Sequence, residues 1–433
     1  MPTSLRGIVR TARRSKTHRF RDLYRMLNAE LLEAAWRLLN KSAAIADTDV
    51  TVKEYAAGLE ENLASLAERL RQKRYRAKLV RRRYITKDNG KKRPLGIPAL
   101  EDKIVQKAVS MILEAIYEPE FLDCSYAYRR DRGAKDAVGD LGFNLQYGVY
   151  GYVVEADIKG FFDAIDHDRL LEMLCARIND RAFLGLIRRW LKAGVLEPEG
   201  YVKHPVTGTP QGGIVSPILA NVYLHVVLDE WFHQTVKPAL RGRAAMYRYA
   251  DDWVCALQYR DDAARFYSVL PKRLGRYNLE LSPEKTRILR FSRFHPSRRK
   301  AQTFTFLGFE FSWFNDRKGV PRVKRRTAPS KQQKALGRMR AWLKAARHLS
   351  KRQFFKDLKR KLVGHYNYFY VRGNSHSVWS FYSKVIELAK KWLNRRSQRK
   401  SYNWEQFNRI IEYVKIPKPK VMEKRRKHQL VTA

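Results

Sequence analysis

The chain has 433 residues, with 88 Lys or Arg against 43 Asp or Glu, and its formal net charge at pH 7 is +45. A positive charge of this size indicates a polyanionic partner bound through phosphate contacts, and it argues against a merely soluble basic protein. Three scattered cysteines argue against a disulfide framework or a structural zinc site, and no apolar run approaches the ~18 residues of a membrane span.

The N-terminal part of the chain is predicted to be helical. Apolar residues recur at three- and four-residue steps over 20–39 and again over 52–74. This spacing places the apolar side chains on one face of an α-helix. The length of the chain and its 44% of hydrophobic residues predict two or three domains or subdomains with a substantial core.

A basic β-hairpin is predicted next. Two β-prone runs, 78–85 and a second run ending near Ile97, are joined by a turn at 88–90 that contains Asn-Gly, a strong hairpin signal. From residue 69 to residue 93 there are thirteen Lys or Arg and one acid, so this hairpin is suited to gripping phosphates. A third amphipathic helix is predicted after it, over 102–117.

The central region alternates between strands and helices. Strands with helices packed on one side indicate an α+β fold. In chain order the sequence predicts a strand (150–156), a helix (168–193), a Gly/Pro-rich turn (207–213), a helix (217–232), a hairpin with Asp251 and Asp252 at its tip, and a helix (261–276).

From about residue 329 onward the pattern becomes almost entirely helical. Basic helices with an apolar or aromatic face are predicted over 331–348, 352–370 and 375–396, which indicates a helical bundle docked against a nucleic-acid duplex. The aromatic residues of the second helix either form the bundle core or stack on unpaired RNA bases, and the core is the preferred interpretation. Residues 401–433 are expected to form a short basic tail.

Two acidic sites follow β-prone segments. Asp157 comes after a run of Tyr and Val, and Asp251 and Asp252 stand side by side between apolar residues. Carboxylates in such surroundings are costly to bury without opposite charge, and a divalent cation is the usual partner. Two strand-borne acidic sites that share Mg²⁺ are the minimal arrangement for two-metal phosphoryl transfer. The alternative for the Asp-Asp pair taken alone is an ordinary solvated turn.

Three strings in a fixed order resemble the reverse transcriptases encoded by group II introns. They are EADIKGFFDAIDH (155–167), GTPQGGIVSPILAN (208–221) and YADD (249–252). Supporting strings are RPLGIP (93–98), LSPEKT (281–286) and FLGF (306–309). A lone Asp-Asp pair is weak support for a family, whereas three separated blocks in one order are specific.

The resemblance implies a right-hand polymerase, in which fingers and a palm with an antiparallel sheet are followed by an all-α thumb or maturase bundle. It divides the chain into four parts. These are an N-terminal helical extension (1–77), a reverse transcriptase domain of fingers and palm (78–320), a helical thumb or maturase domain (321–400) and the basic tail (401–433).

The resemblance also assigns the metal ligands. Asp157, Asp251 and Asp252 match the family residues that hold two Mg²⁺ ions, for which Mn²⁺ is an alternative, and the backbone carbonyl of Ile158 is a further ligand. The nearby residues Asp163, Asp166 and Asp168 are more plausibly helix caps, although Asp163 could support the metal site from outside.

The nucleotide contacts follow from the same resemblance. Phe162 matches the position that stacks under the incoming sugar and excludes a 2′-hydroxyl, with core packing as the alternative. Gln211 matches a contact near the 3′-hydroxyl of the nucleotide, and Lys87 and Arg93 match ligands of the triphosphate. Candidate primer or template contacts are Lys285 and Gly308.

The resulting hypothesis is an RNA-directed DNA polymerase that also binds its intron RNA and assists splicing and retromobility. Its expected partners are structured RNA, a duplex of RNA template and DNA primer, and dNTPs, in the cytoplasm and without a membrane. One alternative is a domesticated relative in host defence, repair or CRISPR-associated acquisition. Another is an RNA-binding splicing factor with little polymerase activity. The sequence leaves the oligomeric state open.

Overall fold

A computed structural model describes residues 3–41, 50–86, 90, 92–203, 207–209, 212–294, 302–396 and 401–420, with Thr3 and Arg93 described by their backbones only. The helices are α1 (Thr3–Arg14), α2 (Ala29–Leu38), α3 (Val52–Ala57), α4 (Leu59–Arg71), α5 (Leu100–Tyr117), α6 (Ala134–Tyr147), α7 (Phe161–Ala164), α8 (His167–Cys175), α9 (Arg181–Leu191), α10 (Ser216–Leu224), α11 (Arg260–Gly275), α12 (Pro329–Ala346), α13 (Lys351–Phe369), α14 (Ser375–Leu393) and α15 (Trp404–Tyr413).

The strands complete an α+β fold. They are β1 (Val80–Thr86), β2 (Lys92–Ile97), β3 (Tyr152–Asp157), β4 (Val195–Leu196), β5 (Val202–Lys203), β6 (Ala244–Tyr249), β7 (Asp252–Leu257), β8 (Arg287–Arg290), β9 (Phe304–Phe306), β10 (Phe309–Asn315) and β11 (Pro321–Thr327). Within the described ranges, no helix combines the length and the apolar character needed to cross a lipid bilayer.

The chain forms two compact units, and both are built from separated segments of sequence. The first unit contains Met1–Asp131, Asp157–Ala239 and Phe266–Glu284. The second unit contains Arg132–Ala156, Leu240–Arg265 and Lys285–Ala433. The chain therefore passes repeatedly from one unit to the other, so that neither unit corresponds to a single stretch of sequence.

The first unit is organised around helix α5. Nearly every side of α5 is buried, including Ile104, Val109 and Ile112, because α1, α2 and α10 all pack against it. A helix that is apolar on all sides belongs in a core. The sheet of this unit has the strand order β2-β1-β4-β5, in which β1 and β2 form the predicted antiparallel hairpin.

The second unit contains two sheets. One has the strand order β6-β7-β3-β8, and its strands β6 and β7 are buried along almost their whole length. The other has the order β11-β10-β9, with antiparallel pairing throughout. Helix α6 packs on β6 and on β11. The hairpin of β6 and β7 is the one that the sequence predicts.

Helices α12 to α15 pack around one apolar core in the second unit. The aromatic residues Phe354, Tyr366 and Tyr370 of the α13 region are buried in it, so the preference for core packing over RNA stacking is confirmed for them. Tyr368 is different, since 40% of its surface is exposed. Helix α15 was not predicted, and its Phe407 and Ile411 also enter this core, so the expected tail begins with a packed helix.

Capping residues explain where several predicted helices are shorter than expected. The predicted helix over 20–39 begins only at Ala29, because the Asn28 side chain accepts a hydrogen bond from Leu31 N–H and caps α2. The predicted helix over 168–193 is divided into α8 and α9, since the Asp180 side chain accepts from Phe183 N–H and starts a new helix. The predicted helix over 52–74 is divided at Gly58 without a capping side chain, and glycine is unfavourable inside a helix.

Candidate active site

The two adjacent carboxylates lie at the tip of a tight hairpin. Tyr249 pairs with Asp252 at the end of β6 and β7, which leaves Ala250 and Asp251 as a two-residue loop. Ala250 has a φ of +57°, a value that favours glycine, so the backbone of the loop is strained. The prediction that Asp251 and Asp252 lie at a hairpin tip is confirmed, and both side chains are partly exposed.

A buried arginine braces this tip from inside the protein. Arg248 is fully buried, and its guanidinium donates a hydrogen bond to Ala250 O at 3.2 Å. The next residue after the carboxylates, Trp253, is also fully buried. The hairpin is therefore held by packing on both sides of the loop, so that the two carboxylates are presented on a rigid support.

Strand β3 is the neighbour of β7 in the same sheet. Gly151 N–H, just before β3, donates to Leu257 O at the end of β7, so the two strands run in opposite directions. Ala156, near the C-terminal end of β3, therefore lies at the edge of the sheet where β7 begins. Asp157 directly follows Ala156 and is the last residue of β3.

Asp157 and Ile158 are tied by their backbones to a segment of the first unit. Ser282 N–H donates to Asp157 O at 2.8 Å, and Ile158 forms an isolated antiparallel bridge with Leu281. Ile158 is 2% exposed, whereas the Asp157 side chain is partly exposed. This segment contains the LSPEKT string, so two of the recognised motifs are in direct contact.

Helix α7 and the turn after it make close backbone contacts with the Gly/Pro-rich turn at 207–213, which we call the Gly-rich loop. Thr209 N–H donates to Phe162 O at 2.8 Å, and Gly208 N–H donates to Ile165 O at 2.7 Å. Gly208 has a φ of +91°, and a Cβ there would lie 2.9 Å from Asp163 Cα. Only glycine fits this approach without displacing backbone. Phe161 is buried beside a half-buried Phe162, and their rings meet edge to face at 5.3 Å.

The other end of the same loop is fixed against the hairpin and helix α5. A Cβ at Gly212, where φ is +117°, would lie 2.4 Å from Gly96 O of β2. Ile214 N–H donates to the Gln106 side chain of α5 at 2.9 Å. The loop is thus anchored at both ends, once to the α7 turn and once to β2 and α5, so it joins the Phe162 region to the basic hairpin.

Tyr368 of the helical bundle lies near the acidic hairpin, the name we use for β6 and β7 with Asp251 and Asp252 at their tip. Its hydroxyl donates to Leu307 O at 3.0 Å, and its ring stacks on Phe309 with 6.0 Å between centroids. Partial burial, together with the nearby Tyr249 and Asp252, raises the pKa of Tyr368 to about 12. The sequence reasoning grouped Tyr368 with the aromatic residues of the bundle and did not place it beside the acidic hairpin.

Comparison with known proteins identifies the family. The family described as "Reverse transcriptase (RNA-dependent DNA polymerase)" matches residues 85–311, which is more than half of the chain. The chain belongs to the reverse transcriptase family. Its similarity to intron-encoded proteins places it with the group II intron reverse transcriptases and maturases.

Several relatives carry this similarity. Group II intron-encoded protein LtrA of Lactococcus lactis subsp. cremoris is 43% identical over 211 residues, covering 48% of this chain and 34% of that protein. The uncharacterized 91 kDa protein in cob intron of Schizosaccharomyces pombe is 46% identical over 151 residues, covering 35% of this chain and 18% of that protein. Protein YkfC of Escherichia coli is 36% identical over 198 residues, covering 45% of this chain and 50% of that protein. The chain therefore spans half or less of the length of each of these relatives.

The nucleotide-binding residues expected in this reverse transcriptase fold fall partly outside the described ranges. Lys87 and Gln211 lie outside them, and Arg93 is seen only as a backbone position of β2, paired with Ile85. Phe162 is described, and its backbone holds the Gly-rich loop that leads to Gln211.

The two candidate primer or template contacts differ in their surroundings. Lys285 is exposed. Gly308 lies in the turn between β9 and β10 with a φ of +79°, and a Cβ there would contact Phe369 at 3.7 Å. Of the three acids assigned to helix caps, Asp166 does cap α8, with its side chain accepting from two backbone N–H groups. Asp168 instead pairs with Arg188 at 3.0 Å.

The donor types at the strand ends suit a hard divalent cation. Carboxylate and backbone carbonyl oxygens are the ligands that Mg²⁺ prefers in proteins, and reverse transcriptases as a family use divalent metals. In the part of the chain that the structure describes, no group of three or more His, Cys, Asp or Glu side chains forms a metal cluster. The fit to magnesium thus rests on donor chemistry, because Asp251 and Asp252 are adjacent, partly exposed carboxylates of the kind that Mg²⁺ prefers.

Proposed function

We propose that the chain is an RNA-directed DNA polymerase of the right-hand type. The observation that carries the proposal is the acidic hairpin. Asp251 and Asp252 lie at a rigid tip, at the edge of the sheet where β3 ends and leads into Asp157. In the proposal Asp157 joins this pair, so that two strand-borne acidic sites share the metal ions of phosphoryl transfer.

In this proposal Asp157, Asp251 and Asp252 hold two Mg²⁺ ions, with the Ile158 carbonyl as a further ligand and Mn²⁺ as an alternative metal. When bound, the ions supply Lewis-acid stabilisation of the attacking and leaving oxygens. The protein contributes the rigid support, because Arg248 and Trp253 fix the loop and leave its carboxylates partly exposed.

The nucleotide would lie between the Gly-rich loop and the basic hairpin. Phe162 would stack under its sugar and disfavour a 2′-hydroxyl, Gln211 would contact it near the 3′-hydroxyl, and Lys87 and Arg93 would neutralise its triphosphate. The supporting observation is the anchoring of the loop to the backbone of Phe162 at one end and of Gly96, in β2, at the other.

The domain assignment is part of the same proposal. Residues 78–320 would form fingers and palm, and 321–400 the thumb that holds the duplex of RNA template and DNA primer, with Lys285 and Gly308 near the primer. The high positive charge supports binding of structured RNA, and the group II relatives make the parent intron RNA the favoured ligand, with splicing and retromobility as the outcome.

Primer extension on an RNA template tests the proposal. The wild-type chain should extend a DNA primer with dNTPs in Mg²⁺. Asp251→Asn should lower the rate by more than ~100-fold, because mutating a residue that merely supports a metal ligand already lowers activity ~10–100-fold. Asp261→Asn, an exposed acid early in α11, is the matched control and should keep its activity. Extension by Asp251→Asn at the wild-type rate would exclude the assigned metal ligands.

RNA binding separates the polymerase from a pure splicing factor. Asp251→Asn should bind intron RNA with the same affinity as wild type, because the substitution leaves all 88 Lys and Arg residues in place. A wild-type protein that binds RNA but makes no cDNA would contradict the polymerase and leave the splicing role.

A further inference from the structure

A buried carboxylate, Glu197, connects the basic hairpin to the body of the first unit. Glu197 follows β4 directly and is only 5% exposed. Its carboxylate accepts a hydrogen bond from Arg82 Nε at 3.2 Å and another from the Tyr84 hydroxyl at 2.9 Å. Both donors lie on β1, so a single side chain holds two alternate residues of one strand.

The backbone of Glu197 is itself held in place. Its N–H donates to Tyr201 O at 3.0 Å, and its carbonyl accepts from Gly200 N–H at 3.0 Å, which closes the tight turn between β4 and β5. Gly200 supplies the φ of +94° that this turn requires. Strand β4 lies parallel to β1, with Val80 opposite Val195. The carboxylate therefore projects from a fixed point onto the neighbouring strand.

The charges make this contact strong. The Arg82 side chain is 16% exposed, so the ion pair is largely withdrawn from water, where charge-assisted hydrogen bonds are strengthened and loss of one partner leaves the other charge uncompensated. The Tyr84 ring also contacts the second strand through a cation–π interaction, since Lys92 Nζ of β2 lies 5.8 Å from the ring centroid. Both strands of the hairpin are thus coupled to Glu197.

The contacts of Glu197 occupy one face of the hairpin. Side chains alternate along a strand, so Arg82 and Tyr84 point to one face while Arg81, Arg83 and Ile85 point to the other. Ile85 is the residue paired with Arg93. A clamp on one face fixes the strand while leaving the opposite face available for a ligand.

We infer that Glu197 is a positioning residue that orients the β1–β2 hairpin for the triphosphate of the incoming nucleotide. The inference rests on the proposed function, in which Lys87 and Arg93 of this hairpin bind that triphosphate. Glu197 touches neither substrate nor metal, and it acts through Arg82 and Tyr84. Loosening the hairpin should weaken nucleotide binding more than it slows the chemical step.

Steady-state primer extension with Glu197→Gln measures this effect. Glutamine keeps the size of the side chain but removes the charge, and we expect the KM for dNTP to rise ~10-fold while kcat changes less than ~2-fold. Glu199→Gln is the matched control, because Glu199 lies two residues away in the same turn and is exposed. Its KM should equal that of wild type.

Tyr84→Phe provides a second variant with little risk to folding, because Tyr84 is 42% exposed. It removes one of the two hydrogen bonds and should raise the KM for dNTP by a smaller factor. The double variant should show less than the product of the two factors, since both changes break the same contact.

The outcomes are distinguishable. A wild-type chain without cDNA synthesis contradicts the proposed function itself. An active wild type with an unchanged KM in Glu197→Gln overturns the role of Glu197. A fall in kcat with no change in KM also overturns it, because general damage to the fold, and not nucleotide positioning, would then explain the effect.

Discussion

The pH dependence of stability is a direct consequence of one buried acid, Asp102. Asp102 lies in the first turn of α5, is 3% exposed, and accepts hydrogen bonds from the Tyr75 hydroxyl and from Lys78 N–H. Burial raises the pKa of its carboxyl group from 3.8 to about 6, and the two hydrogen bonds only partly oppose that rise.

The sign and size of the effect follow from linkage. Because the folded pKa is above the unfolded one, the folded state holds the proton more tightly, and the stability from this group is lost as pH rises from about 4 to above 6. Each unit of pKa corresponds to ~1.4 kcal/mol, so the whole loss is about 3 kcal/mol. Asp102→Asn removes the titration, so the free energy of unfolding of wild type relative to this variant should fall by about 3 kcal/mol across that range.

Urea unfolding followed by circular dichroism, at several pH values between 4 and 7.5, measures this difference. Other carboxyl groups titrate in both proteins and cancel. Asp357→Asn is the control of opposite sign, because hydrogen bonding by Gln353 and the nearby Arg360 hold the pKa of Asp357 below its usual value, so its contribution is lost as pH falls. A difference between wild type and Asp102→Asn that stays constant with pH would refute the reasoning.

Two further predictions concern the candidate active site. Gly208→Ala should destabilise the protein by ~1–3 kcal/mol and lower primer extension, because its Cβ would lie 2.9 Å from Asp163 Cα at a φ of +91°. Gly185→Ala, in the open middle of α9, is the control and should stabilise the protein by ~0.5–1 kcal/mol. Equal melting temperatures of the two variants would contradict both predictions. Phe162→Ala should increase ribonucleotide incorporation relative to dNTP incorporation, measured by primer extension with each nucleotide alone, whereas unchanged selectivity would show that Phe162 packs and does not gate.

Local patterns in the sequence were sufficient for the elements that carry the motifs. The Asn-Gly turn predicts the β1–β2 hairpin, and the apolar, β-prone flanks of Asp251 and Asp252 predict the β6–β7 hairpin, and both are present. Such elements depend on contacts between residues close together in sequence, so a short window contains the forces that form them. The order of the motifs likewise led to the correct family.

Helix ends and short strands were less accessible. Apolar periodicity runs through Asn28 and Asp180, yet each side chain captures backbone N–H groups and sets the start of a new helix. Strands β4, β5 and β8 to β11 and helices α1, α6, α7 and α15 were not predicted. Helix α15 has only ten residues, too few for a stable isolated helix, and it becomes stable through burial of Phe407 and Ile411 against other helices.

The sequence alone determined the family, the acidic residues of the hairpin tip and the basic character of the β1–β2 hairpin. Only the tertiary structure placed Tyr368 beside Asp252 and Glu197 against Arg82, because these partners are more than a hundred residues apart and no local pattern links them. Contacts of that range form when strands and helices pack into a common core, where the exclusion of water makes each buried hydrogen bond and ion pair depend on its exact neighbours.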